Sequence, residues 1–226
     1  MKSAPTAALL VLAGAIAAGC GGHESAALAP YAAGTLTPGQ GLDDIRLGDP
    51  VRTFVERFGA GQVAVIAGDD LLAADLHFPS QGLSFRFIAD AGCRDALRSG
   101  GSSVKSLMGL REPAQFLASF PACAKMPLES IGVAARDADA KPAFTGMTAK
   151  GTKLQMTRAE LFEREGTGIA GSAASSVLES ADDDRYERFA FVSGLIAYVQ
   201  KDGARTDGPA EAHWKVVKMA VTAGDR

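Results

Sequence analysis

Apolar and polar positions along the chain predict two short amphipathic helices. In the first, apolar residues recur at positions i, i+3, i+4 and i+7, and these are Val51, Phe54, Val55 and Phe58. This spacing places four apolar side chains on one face of a helix. Asp49 is a favourable N-cap, and Pro50 suits the first helical position. Gly59 predicts the end of the helix in a left-handed conformation.

The second helix has its own start and stop signals. Thr157 and Glu160 have the spacing of a capping box, in which each side chain bonds to the backbone at the other residue. Leu161 and Phe162 supply the apolar stripe, and Gly166 marks the end. A second helix is therefore predicted between Thr157 and Gly166.

Strand patterns follow each predicted helix. Leu83, Phe85 and Phe87 alternate with Ser84 and Arg86, which is the period of a strand buried on one face. Other extended candidates are residues 62–67, 74–78, 128–134, 186–193, 195–200 and 214–221, with a tight hairpin turn at 192–195. Each helix is thus followed by strands that predict an antiparallel sheet.

The two helix segments match one another. They align without a gap, with Leu47 on Leu154 and Gly59 on Gly166. The closing strands also match in spacing, as Leu128-x-x-Ile131-x-Val133 and Val216-x-x-Met219-x-Val221. We therefore predict an α+β protein of two tandem units, each a short N-terminal helix followed by an antiparallel sheet. The first unit covers residues 41–140 with an insert at about 89–125, and the second covers 141–226.

Two substitutions weaken the second copy. Gln155 stands where the first copy has Gly48. Glu165 replaces the apolar Phe58, so we expect the second helix to be shorter or more exposed than the first.

The segment from Leu47 to Gly59, the closing strand and the tandem arrangement resemble the beta-lactamase inhibitory protein-like fold. Small outer-membrane lipoproteins of the SmpA/OmlA type, including the BamE component of the outer-membrane assembly machine, are built on a single copy of this fold. The resemblance implies that the sheet face away from the core binds a partner. The candidate residues for that face are Tyr186, Arg188, Tyr198, Trp214, His77 and Arg86. Tyr, Trp and Arg dominate binding hot spots, although aromatic residues here are equally compatible with completing the core.

The N-terminus has the pattern of an export signal. Lys2 precedes an apolar run over residues 7–18, which is too short to span a bilayer that needs about 20 residues. The following Ala-Ala-Gly-Cys20 resembles the lipobox of bacterial lipoproteins, with Ala17 in place of the usual leucine. The resemblance implies a signal peptide over residues 1–19 and acyl chains, including palmitate, on Cys20. With Gly21 next, it implies an outer-membrane anchor with the protein facing the periplasm.

Residues 20–40 are interpreted as the lipidated cysteine and a flexible tether, because large apolar side chains are few there. The chain has three cysteines. With Cys20 acylated, Cys93 and Cys123 remain as a possible disulfide pair, which an oxidising periplasm permits. Two buried thiols that never meet are the alternative.

Charge and motifs give little sign of chemistry. The net charge of −3 indicates no basic surface for nucleic acid. His23, His77 and His213 lack the spacing of metal ligands, and no linear catalytic or cofactor motif occurs. Residues 182–184, three aspartates, are interpreted as a solvated acidic turn. We therefore predict no cofactor, no metal and no catalysis.

These patterns predict a lipid-anchored periplasmic module that binds another envelope protein. An inhibitor of a periplasmic or secreted hydrolase is the first alternative, by analogy with the namesake of the fold. An enzyme whose site lacks any linear motif is the alternative from another class. A deep pocket that collects His77, Arg86 or Asp75 would favour the enzyme.

Overall fold

A computed structural model gives the structure of the protein. It describes residues 26–59, 62–67, 72–99, 117–135, 139–171, 186–201 and 214–222. The predicted signal peptide and Cys20 lie outside the described residues, as do His23 and His213. Within the described residues the protein is a mixed α+β structure with two sheets.

The described elements follow one another in a simple order. The α-helices are α1 (Val51–Phe58), α2 (Ala91–Ser99) and α3 (Arg158–Glu165), and 3-10 helices cover Ala26–Ala33 and Pro121–Lys125. The strands are β1 (Thr35–Thr37), β2 (Gly41–Leu42), β3 (Ile45–Arg46), β4 (Gln62–Ala67), β5 (Leu72–Phe78), β6 (Leu83–Ile88), β7 (Leu128–Ala134), β8 (Met147–Thr148), β9 (Ile169–Gly171), β10 (Tyr186–Ala190), β11 (Leu195–Gln200) and β12 (Lys215–Thr222).

The larger sheet is continuous and takes strands from both ends of the described chain. Its eight strands lie in the order β4-β5-β6-β7-β12-β11-β10-β9, and every neighbouring pair is antiparallel. β7 and β12 form the central seam. The seam joins a first half, consisting of α1 and β4–β7, to a second half, consisting of α3 and β9–β12. A smaller sheet has the order β3-β2-β1-β8.

Helices α1 and α3 pack on the same face of the larger sheet. The ring of Phe54 on α1 lies 4.5 Å from that of Phe85 on β6, and Phe162 on α3 lies 4.9 Å from Phe189 on β10. Residues that are paired across neighbouring strands lie on the same face of a sheet, and pairing links Phe189 to Leu83 through one residue each of β11, β12 and β7. Leu83 and Phe85 are two residues apart on β6 and therefore lie on the same face. Phe189 and Phe85 thus lie on one face of the sheet. The predicted alternation in β6 is therefore confirmed, and this face forms the hydrophobic core.

The helix ends follow the predicted signals with one correction. The Thr157–Glu160 capping box is present, and Gly59 and Gly166 end the helices with φ of 79° and 87°. The predicted N-cap at Asp49 and first helical position at Pro50 are both one residue early, because extended Pro50 is the N-cap and the helix begins at Val51. The Asp49 carboxylate instead accepts a hydrogen bond from the Arg46 N–H, at 2.9 Å.

The second helix is more exposed than the first, as one part of the expectation has it, because α3 has one buried residue, Leu161, where α1 has three. It is not shorter. α3 has 8 residues, as α1 does. The Glu165 side chain is only 1% exposed, and its carboxylate accepts a hydrogen bond of 2.5 Å from the Thr152 hydroxyl. Lys150 Nζ lies 3.3 Å from the same carboxylate. Polar partners therefore allow a carboxylate to be buried where the first helix has Phe58.

The predicted tether is wrong for residues 26–40. Ala26–Ala33 forms a 3-10 helix and Thr35–Thr37 is a strand. Leu28 and Leu36 are 0% exposed and belong to the hydrophobic core. Two well-placed leucines therefore fix a segment whose overall composition is typical of a linker.

The predicted disulfide is present between Cys93 and Cys123. Both residues are completely buried, and the bond joins α2 to the 3-10 helix Pro121–Lys125. Asp90 starts α2, since its carboxylate accepts a hydrogen bond from the Cys93 N–H at 2.8 Å. The bond therefore fastens the two ends of the predicted insert to each other, while residues 100–116 of the insert lie outside the described residues.

Candidate binding cleft

We call the side of the larger sheet away from α1 and α3 the second face. Strand pairing places Asp75, His77, Ser84 and Arg86 on this face in the first half. In the second half it holds Tyr186, Arg188, Tyr198, Lys218 and Ala220. Because neighbouring strands are continuous from β5 to β10, one surface carries residues from both halves.

A buried ion pair occupies the first half of this face. Arg86 donates two hydrogen bonds to Asp75, from Nε at 2.8 Å and from NH2 at 2.7 Å. The Asp75 side chain is 1% exposed and that of Arg86 is 10% exposed. Burial opposes the charged form of Arg86, but the hydrogen bond and charge of Asp75 outweigh it, and the pKa of Arg86 is raised. The two charges therefore satisfy each other.

A cleft of about 570 Å³ lies on the second face and extends from β5 to β10. Its lining comes from the β5–β6 hairpin, the end of β7, the loop after β7 and the start of β10 and β12. The lining residues are His77, Pro79, Gly82, Leu83, Ser84, Ala134, Ala135, Lys141, Ala143, Tyr186, Val217 and Lys218. We refer to this site as the cleft.

Charge and burial determine the state of the titratable groups near the cleft. Burial lowers the pKa of His77 below its usual value, and the positive charges of Arg86 and Lys218 act in the same direction against Asp75. His77 is therefore neutral near pH 7. Burial also raises the pKa of Glu129, despite the opposing effect of Arg86. The Lys218 Nζ lies 4.9 Å from the ring centre of Tyr198, a cation–π distance.

The structure brings five of the six predicted binding residues to one face. His77 and Tyr186 line the cleft, from opposite halves of the sheet. Arg86, Arg188 and Tyr198 lie on the same face outside the cleft lining, and Tyr198 is only 3% exposed.

Trp214 does not join the other predicted residues. It packs against the core on the helix side of the sheet, and the Arg158 guanidinium lies 6.0 Å from its ring centre. The same guanidinium lies 5.2 Å from the ring of Phe189, which faces the helices. The prediction that Trp214 shares a face with Tyr198 is therefore wrong. Trp214 lies directly before β12, and its carbonyl oxygen accepts a hydrogen bond from the Arg158 N–H at the start of α3.

The basic part of the cleft was not predicted from the sequence. Lys218 follows the adjacent apolar residues Val216 and Val217, which hide the period of the strand. The pairing between β11 and β12 shifts between Tyr198 and Val199, so Val217 lies in a bulge and alternation resumes at Lys218. Lys141 lies in a loop, where no periodic signal exists.

Comparisons with known proteins give no match, whether with protein-family models, curated proteins or solved structures. Among the described residues, no group of three or more His, Cys, Asp or Glu side chains is placed to hold a metal ion. No described helix has the length and apolar character needed to cross a membrane. The described geometry is that of a cleft with donor groups and apolar walls, which is suited to binding.

Proposed function

We propose that the chain consists of two tandem units that together form one partner-binding sheet. The support is a set of matching backbone contacts around α1 and α3. Each helix has 8 residues, ends at a glycine with positive φ and is followed by a strand that begins three residues after that glycine. The order of helix and strands is therefore the same in the two halves.

Three hydrogen bonds before and at the start of each helix also correspond. In the first half they are Gly48 N–H to Leu128 O (2.7 Å), Leu128 N–H to Asp49 O (2.8 Å) and Val51 N–H to Met126 O (2.9 Å). In the second half they are Gln155 N–H to Val216 O (2.7 Å), Val216 N–H to Met156 O (2.9 Å) and Arg158 N–H to Trp214 O (2.8 Å). The residues occupy corresponding places in the two predicted units. Gln155 even keeps a positive φ of 65°, where Gly48 has 96°.

The central seam is consistent with the same interpretation. Gly132 of β7 pairs with Ala220 of β12, and these residues correspond in the matched closing strands. On either side of this pair, Ser130 faces Thr222 and Ala134 faces Lys218. A two-fold axis between two equivalent strands produces this pairing.

We propose that the protein is a non-catalytic, lipid-anchored module that binds another protein of the bacterial envelope. Cys20 carries the acyl chains and holds the protein at the outer membrane, facing the periplasm. The observation that carries the binding proposal is the cleft, whose lining includes His77 from the first half and Tyr186 from the second. Its volume is within the range of about 300 to 1,000 Å³ typical of ligand sites.

Site-specific crosslinking in cells tests this proposal. The photoreactive residue p-benzoylphenylalanine replaces Tyr186 in one strain and Glu163, which is exposed on α3, in a control strain. We expect a discrete crosslinked envelope protein only from position 186. The Cys20→Ala variant should lose both membrane attachment and the crosslink. The same products from both positions, or none from position 186, would count against binding at this face.

Inhibition of a hydrolase is the second candidate function. The feature that favours it is the single sheet spanning both halves, because the fold it resembles uses its sheet to bind the enzyme. Purified protein is titrated against beta-lactamases and envelope proteases, beside the variant Lys218→Glu. If the purified protein lowers the activity of an enzyme and Lys218→Glu does not, inhibition is supported. If micromolar protein leaves the activity of every enzyme unchanged, the inhibitor hypothesis is rejected.

A further inference from the structure

We propose that a second site, a groove beside α3, binds an acidic segment of another protein through Arg164. The groove has a volume of about 490 Å³ and is lined by parts of segments 142–146 and 153–156 and by two residues of α3, Glu160 and Arg164. We call it the α3 groove. It goes beyond the cleft, because it is built around a helix on the other side of the sheet, and it rests on the correspondence of the two halves proposed above.

The first half shows what lies against the corresponding arginine of α1. The gapless match of the two halves aligns Arg57 with Arg164. Arg57 NH2 donates hydrogen bonds to the Asp44 carboxylate at 2.5 Å and to the Tyr31 hydroxyl at 2.6 Å. The Tyr31 hydroxyl in turn donates to Asp44, at 2.6 Å. A carboxylate and a tyrosine therefore satisfy the arginine in the first half.

The second half keeps the arginine but has no carboxylate at that place. The same match aligns Asp44 with Gly151. Arg164 reaches this point, since its NH1 donates a hydrogen bond of 3.1 Å to the Lys150 carbonyl, and a Cβ at Gly151 would lie 2.6 Å from the same NH1. Within the described part of the chain, no carboxylate forms a salt bridge with Arg164. Its side chain is exposed, so its remaining N–H groups are accessible to an acceptor from outside.

The other charges of the α3 groove leave it positive. Lys153 is a second cation of the lining and is also exposed. Glu160 is the one carboxylate among the described lining residues. Its Oε2 accepts hydrogen bonds from the Thr157 N–H at 2.7 Å and from the Thr157 hydroxyl at 2.9 Å, so the capping box holds it at the start of α3. Two cations therefore accompany one anion that already has partners.

Apolar side chains form the floor of the groove. Phe144, Leu154 and Met156 line it and are only 1%, 5% and 4% exposed. An apolar floor beside a guanidinium suits an aromatic ring next to a carboxylate, which is the combination that Tyr31 and Asp44 present to Arg57. The inferred occupant is therefore a segment that carries an acidic residue beside a tyrosine.

Fluorescence polarisation with the full chain tests the inference. The probe is a labelled, N-acetylated and C-amidated peptide of Asp-Tyr pairs separated by glycines, and its control has Asn in place of Asp. Arg164→Gln should weaken binding of the Asp peptide about tenfold, since hydrogen bonds between two charged groups are lost. Lys125→Gln, a change at an exposed lysine outside the groove, should leave binding unchanged. Equal binding of the two peptides, or no binding of the Asp peptide at millimolar concentration, would overturn the inference.

The first half supplies a sharper pair of variants. Gly151→Asp places a carboxylate beside Arg164, as Asp44 lies beside Arg57, and should weaken binding of the Asp peptide about tenfold. Gly151→Asn has the same size and the same backbone cost at a φ of 80°, but adds no charge, so it should retain most of the binding. Urea midpoints check that both variants fold alike. Equal affinities of the Asp and Asn variants would overturn the assigned role of Arg164.

Competition and crosslinking in cells separate the possible failures. Displacement of the peptide by millimolar inorganic phosphate as readily as by unlabelled Asp peptide would indicate a general anion site and overturn the inference. Photoreactive p-benzoylphenylalanine at Thr145, an exposed residue of the lining, should capture an envelope protein that Gly151→Asp abolishes and Gly151→Asn retains. Capture through position 186 but not 145 would overturn the α3 groove and leave the proposed function intact. Capture through position 145 but not 186 would support the groove and count against binding at the cleft.

Discussion

The buried Asp75–Arg86 pair predicts a large loss of stability when its carboxylate is removed. Asp75 is 1% exposed and Arg86 10% exposed, so Asp75→Ala leaves a guanidinium buried without its partner. Breaking a buried ion pair in this way costs about 3 to 5 kcal/mol. The two parallel hydrogen bonds, of 2.8 and 2.7 Å, make this a bidentate pair, which is a strong geometry for an arginine and a carboxylate. We expect the free energy of unfolding to fall by that amount.

Urea denaturation measures the effect on protein with its disulfide intact. Trp214 fluorescence and far-ultraviolet circular dichroism follow unfolding, and an unchanged slope against urea shows that the same surface is exposed in both proteins. In a chain of this size, about 1 kcal/mol shifts the thermal midpoint by about 2 to 4 °C. The expected decrease in the midpoint is therefore about 6 to 20 °C.

An exposed ion pair provides the matched control. Asp44 and Arg57 are 2.5 Å apart, but their side chains are 60% and 45% exposed. Asp44→Ala should cost less than about 1 kcal/mol, because water screens the pair. The double variant Asp75→Leu with Arg86→Met should recover most of the loss, since it leaves no unpaired charge. If Asp75→Ala costs no more than Asp44→Ala, the reasoning from burial is refuted.

Three further predictions concern the disulfide, the turns before the helices and the cleft histidine. Replacing Cys93 and Cys123, which are 30 residues apart, by Ala should lower the free energy of unfolding by about 3.6 kcal/mol, and an unchanged urea midpoint would contradict this. Gly48→Ala should lower the free energy of unfolding by about 1 to 2 kcal/mol, because φ at Gly48 is 96°. Gln155→Gly relieves a positive φ but removes the side-chain hydrogen bond of Gln155, so it should raise the free energy of unfolding by only about 0.5 kcal/mol. If urea titrations show that both variants change the free energy of unfolding in the same direction, the two turns are not equivalent. Because the pKa of His77 is lowered in the folded protein, the unfolded chain binds the proton more readily. The free energy of unfolding should therefore fall as the pH drops below about 6.5. Between about pH 7.5 and 5.5 the thermal midpoint of His77→Gln should fall less than that of the unchanged protein.

Local patterns predicted the main helices and strands well. The apolar spacing from Val51 to Phe58 matches α1 along its whole length, and the capping box at Thr157 fixes the start of α3. Alternation in Leu83–Ile88 correctly separated the core face from the second face. These features depend on residues that are close in sequence, so the sequence contains the information needed to predict them.

Other features depend on residues that are distant in sequence. Strands of two residues, such as β2 and β8, form because tertiary packing holds them, and no periodic signal is possible at that length. The burial of Glu165 requires hydroxyl groups from other segments, including Thr152 and Ser193. Trp214 lies on the helix side of the sheet because it contacts α3. Lys218 lies on the second face because β12 has a bulge at Val217. The cleft was therefore predictable only through His77 and Tyr186.

The seam between β7 and β12 also has a consequence for the order of folding. The chain is synthesised from its N-terminus, so β4 to β7 are complete well before β12 exists. Until Lys215–Thr222 arrives, β7 remains an edge strand whose backbone groups are open to pairing with other chains. Contacts between such distant segments form slowly because a long loop must close first. Nascent chains of this protein therefore pass through a stage prone to aggregation, which ends only when the last strand inserts.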